Sequence, residues 1–147
     1  SACLVGSEMC IRDRAKGVAK ILADDYAAGQ QNAVIVANSN FLQQHGAAAA
    51  TFLEVVLKTG RQLNDGKIKT DPQALASIEK WTKTPPDVVK SAPNPYWVPD
   101  GKINRASIGD QQAYFIANKE VNYTQPLNID SIIDDTALSQ AVKQLGS

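Results

Sequence analysis

Ala33-Val34-Ile35-Val36-Ala37 is a short apolar run, partly β-branched, set between Gln30-Gln31-Asn32 and Asn38-Ser39-Asn40. Such a run, bounded by polar punctuation, reads as a strand buried on both faces, the kind found in parallel or mixed sheets. Outward from it the pattern turns helical. Upstream, residues 15–28 carry Val18, Ile21, Leu22 and Tyr26 at three- and four-residue spacings, stopped by Gly29. Downstream, Asn38, Ser39 and Asn40 are good N-cap residues, followed by Phe41, His45, Ala48, Phe52, Val55, Val56, Thr59 and Leu63 recurring on one face. Gly46 is expected to break this long helix, the alanines at 47–50 give it a smooth surface for close packing, and Asp65-Gly66 closes it.

Asp71-Pro72 is a helix start, an N-cap followed by proline at the first helical position, with Leu75, Ile78 and Trp81 behind it. Thr84-Pro85-Pro86 repeats the device. Pro93, Pro95 and Pro99 make residues 91–101 extended, with Pro99-Asp100-Gly101 a turn inside either a small hairpin or a plain loop. Residues 104–119 form a further helix with Ile108, Gln112, Phe115 and Ile116 inward, and a last one runs from Asp130 or Asp134 to Leu145, ended by Gly146. One strand among helices cannot make a sheet. The expectation is therefore an α/β fragment, mostly helical in the part present, whose other strands lie elsewhere.

Composition narrows the function classes. With 147 residues the chain is sized for one core, and 15 basic residues balance 15 acidic ones, so no single-sign field exists. Lys58, Arg61, Asp65, Lys67, Lys69 and Asp71 alternate in sign along the chain, which argues against a nucleic-acid partner. No apolar run approaches the ~20 residues of a membrane helix. The opening SACLVGSEMCIRDR has neither helical nor strand periodicity and resembles translated adaptor sequence of the kind met in environmental collections; residues 1–14 are read as a foreign leader. Both cysteines, Cys3 and Cys10, fall inside it, and with His45 the only histidine no metal-ligand set assembles. A cysteine-free remainder suits an oxidising compartment.

Taken in order, the run at 33–37, Phe41-Leu42, the alanine-rich helix with Phe52-Leu53-Glu54, the Pro-started helix at Asp71, Pro99-Asp100-Gly101-Lys102-Ile103 and the close from Ile132-Ile133-Asp134-Asp135-Thr136-Ala137-Leu138 to Leu145-Gly146 resemble the C-terminal part of the nitrate/sulfonate/taurine solute-binding proteins of ABC importers. The resemblance covers nearly everything after the leader and lies in order and spacing rather than in single motifs. It implies a type II periplasmic-binding fold, in which 15–30 ends one lobe, 31–40 is a hinge-like crossing segment and the helices of 41–147 pack on the other lobe. It also implies an extracytoplasmic, monomeric protein that captures a small polar or anionic solute and passes it to permease subunits, with no cofactor and no catalysis.

Candidate ligand-binding residues are Asn38, Ser39 and Asn40, where the crossing segment meets a helix start, and Tyr96 and Trp97 on the Pro-rich loop. Helix capping alone accounts for the first three, and anchoring of irregular backbone for the two aromatics. His45 has no Ser, Cys or carboxylate at a spacing that makes a catalytic pair, Arg105 offers a fork for an anion, and Asp134-Asp135 are adjacent on a helix and do not face one another. Two alternatives stay open. One is an enzyme resembling the pyrimidine-precursor synthases of the same superfamily, which needs a reactive His with supporting Cys residues; the other is a helical adaptor or regulatory module.

Overall fold

The computed structural model describes Gly17, Val18, Lys20 and residues 29–146; the leader and nearly all of the helix expected over 15–28 lie outside the described residues. Among the described residues seven helices follow one another: α1 (Ser39–Leu63), α2 (Lys67–Thr70), α3 (Pro72–Thr82), α4 (Pro86–Ser91), α5 (Arg105–Ala117), α6 (Ile129–Ile132) and α7 (Thr136–Leu145). No strand occurs among the described residues.

That finding overturns the α/β expectation and, with it, the type II periplasmic-binding arrangement built on a hinge-like strand at 33–37. The run is present, but all five residues are exposed, Val36 to 86%. A β-branched composition supplies the tendency to extend, whereas a strand exists only where a second strand accepts its backbone hydrogen bonds. The Ala33 carbonyl accepts instead from the Gln31 side-chain amide, whose Nε2 lies 2.6 Å away.

Helix starts follow the sequence closely. The Asn38 carboxamide Oδ1 accepts from the backbone N–H of Asn40 (2.9 Å) and Phe41 (3.4 Å), opening α1. Asp71 does the same for α3, accepting from Gln73 N–H at 2.8 Å and Ala74 N–H at 3.3 Å, with Pro72 at the position where a missing N–H costs nothing. Such a cap is worth about 1 kcal/mol. α1 is kinked at His45 (φ −132°, ψ 30°), one residue before Gly46, and the Phe41 and His45 rings pack 5.3 Å apart beside the kink. Of the two starts expected for the last helix, the one at Asp134 is close to the observed α7, while Asp130 lies in the separate short α6, after which Ile133 is extended.

The chain divides into two compact units. The first holds Thr59–Pro99. In it α2, α3 and α4 pack on one another, with Leu75 buried. The Pro-rich segment is a plain loop, and it is tied to the end of α1 by side-chain to backbone bonds. Asn64, 7% exposed, donates from Nδ2 to the Trp97 carbonyl (2.8 Å) and accepts the Trp97 N–H at Oδ1 (3.0 Å), while Arg61 Nε donates to the Pro99 carbonyl (2.7 Å). Trp97 lies directly over Gly60, where a Cβ would come within 2.9 Å of the Trp97 Cβ.

The second unit holds Ala27–Lys58 and Asp100–Ser147. Ala49, Ala50, Leu57 and Ala141 are its buried apolar residues. Gly101, at φ +69°, leaves room for the side chains of Leu57 from α1 and Leu138 from α7, which both reach the space a Cβ would fill. α5 and α6 are also in contact. Gln112, buried on α5, donates from Nε2 to the Leu127 carbonyl (3.2 Å) and accepts the Leu127 N–H at Oε1 (2.9 Å), repeating with a glutamine what Asn64 does in the first unit.

Candidate functional site

The densest polar constellation among the described residues is built at the start of α5, in the second unit. Asn104 caps the helix by accepting the Ser107 N–H at Oδ1 (3.1 Å), donates from Nδ2 to the Gly29 carbonyl (3.0 Å), and its own N–H reaches Gln31 Oε1 (2.9 Å). Ser107, 3% exposed, uses its whole hydroxyl capacity. Its Oγ donates to Gln30 Oε1 (2.7 Å) and accepts from the Gln31 N–H (2.8 Å) and from Gln111 Nε2 (3.1 Å). Gln111 Nε2 also donates to the Gln31 carbonyl at 2.9 Å.

Chemically this cluster contains hydroxyls and carboxamides only, none of which changes charge near neutral pH. It grips residues 29–31 as a template grips a strand, and so fixes where the exposed run at 33–37 leaves the surface. Replacing Ser107 with alanine is predicted to weaken that grip by about 1–3 kcal/mol, because buried partners are left without a mate. Amide hydrogen exchange at Gln31 should then quicken roughly 5- to 100-fold. Unchanged exchange would show that the hydroxyl does not hold the segment. The sequence reading treated Gln30-Gln31 as punctuation and passed over Ser107 and Gln111; the i, i+4 spacing of the last two on one helix face was the available signal.

The sequence-predicted residues fall in two places. Asn38, Ser39 and Asn40 stand at the α1 start in the second unit, all exposed, and the Asn38 carboxamide is engaged as a cap. Tyr96 and Trp97 belong to the first unit. The Tyr96 ring is 73% exposed, whereas Trp97 is half-buried against Gly60 with its backbone clasped by Asn64. Arg105 does not present a vacant fork to an anion. Its Nε bonds Asp130 Oδ1 (2.9 Å) and its Nη2 bonds Asp135 Oδ2 (2.6 Å), and these partners, Asp135 first, raise its affinity for the proton further. Asp134 and Asp135 turn to different partners, as their adjacency requires: Asp134 accepts the Thr136 N–H at 2.9 Å.

Bonds from the Thr136 side chain and then its backbone pull the Asp134 carboxyl below its ordinary pKa, and Lys102, through its N–H and then its ammonium, does the same to Asp100. Both shifts favour the folded state while the carboxylates are ionised. Their contribution is complete above about pH 5 and is lost as the pH falls below about 4 through the depressed folded values. Urea midpoints taken from neutral to about pH 3 should show this decline, and it should shrink in a double D100N/D134N variant; an equal decline in that variant would assign the acid lability to other carboxylates.

Two concavities complete the second unit. A groove of about 190 Å³ runs between α5 and the segment after it, lined by Ile108, Phe115, Tyr123, Leu127 and Ile132 among others. This is below the roughly 300–1,000 Å³ typical of small-molecule sites and is about the room one small ring needs. A wider, open hollow of about 380 Å³ beside α7 carries Asp100, Lys102, Asp135 and Lys143, charges of both signs. Among the described residues no three His, Cys, Asp or Glu side chains gather as metal ligands, and no helix is long and apolar enough to cross a membrane.

Comparison of the chain with protein-family models, with curated proteins and with solved structures finds no match.

Proposed function

We propose that this chain acts in binding rather than catalysis, as part of the solute-capturing component of an ABC importer with a small polar or anionic solute as its ligand. The observation that carries the reading is the succession of sequence landmarks described above, which resembles that of the nitrate/sulfonate/taurine solute-binding proteins. Apart from the run at 33–37, those landmarks fall at helix starts, within helices or at their ends. Asn38 caps α1, which contains Phe41-Leu42 and Phe52-Leu53-Glu54; Asp71-Pro72 opens α3; the turn at Pro99-Asp100 leads through Gly101-Lys102-Ile103 into α5; and α7 ends at Gly146. A neutral, hydrogen-bonding polar cluster at Ser107 suits a protein that holds shape rather than one that moves protons.

A second reading, a helical adaptor that docks on another protein, is favoured by one observation: Phe52, Val55, Trp81 and Tyr96 are large apolar or aromatic side chains left in solvent. Thermal melts separate the two. With nitrate, taurine, a short alkanesulfonate and a thiamine-precursor pyrimidine each added to the full chain, one solute is expected to raise the melting temperature. At a hundredfold excess over Kd it adds about 2.7 kcal/mol, or roughly 5–10 °C for a chain of this size. No rise with any of them at millimolar concentration, and no permease and ATPase genes beside the coding sequence, would overturn the transport reading.

A further inference from the structure

We draw no further inference here: the strongest candidate, the apolar stripe of Phe52 and Val55 on α1 together with the extended run Val34-Ile35-Val36 in the same unit, is an exposed face for which nothing in the structure shows what covers it.

Discussion

Substituting alanine for Gly101 is expected to cost about 2–4 kcal/mol. Two independent penalties meet there. The backbone sits at φ +69°, a left-handed conformation that an L side chain occupies at a cost of about 1–2 kcal/mol. The added Cβ would also lie 2.8 Å from Leu138 Cδ1 and 2.9 Å from Leu57 Cδ2, closer than carbon atoms tolerate. Those methyl groups end flexible side chains, so part of the overlap can be relieved by rotation, at the expense of the packing that joins α7 to α1. Pairing the substitution with Leu138→Ala tests the division. Measured against Leu138→Ala alone, the added methyl should cost less than it does in the wild type by the Leu138 share of the overlap, while the Leu57 and backbone shares remain, and urea unfolding midpoints would read the difference. If Gly101→Ala left the midpoint unchanged, the close approach of Leu57 and Leu138 to residue 101 would be wrong.

The second large effect is expected at Asn64. Its carboxamide is 7% exposed and satisfies both the N–H and the carbonyl of Trp97, the job a neighbouring strand would do in a sheet. Asn64→Ala leaves two backbone groups of a half-buried residue without partners, worth about 2–4 kcal/mol together. Asn64→Asp is the sharper probe. It keeps an acceptor for the Trp97 N–H but sets a carboxylate oxygen against the Trp97 carbonyl, so the variant's deficit relative to the wild type should be smaller in acid, where the added carboxyl is protonated and can donate, than at neutral pH. Trp97 fluorescence reports the environment of the loop directly, although Trp81, 76% exposed, adds a constant solvent-like background. An Asn64→Asp variant with wild-type pH dependence would mean that the loop does not depend on this clasp.

Much of the helical plan was legible in the sequence because capping is local chemistry. Asp71-Pro72, Asn38 and Asn104 each need only the next few backbone N–H groups, and those lie within reach whatever the rest of the chain does. The run at 33–37 misled for the opposite reason. A continuous apolar run and β-branching report a preference for extension, but the partner that converts extension into a strand is not encoded in the run itself. The packed face of α1 was half legible. Small residues at Ala49, Ala50 and Gly60 are buried because they permit close approach, while Phe52 and Val55, which periodicity grouped as a packing face, stand in solvent. Of the candidate site, Asn38 was found as a cap, yet the Ser107 cluster was not, since it depends on contacts spanning more than seventy residues.

The exposed run at 33–37 also bears on how this chain behaves in company. Natural proteins blunt unpaired extended edges with lysine, proline or a bulge. Between Ala33 and Ala37 there is no charge and no proline, and the grip on Gln31 at one end and the cap at Asn38 at the other hold the run taut. The sequence of the run therefore carries none of the charge or proline safeguards that keep such an edge from pairing.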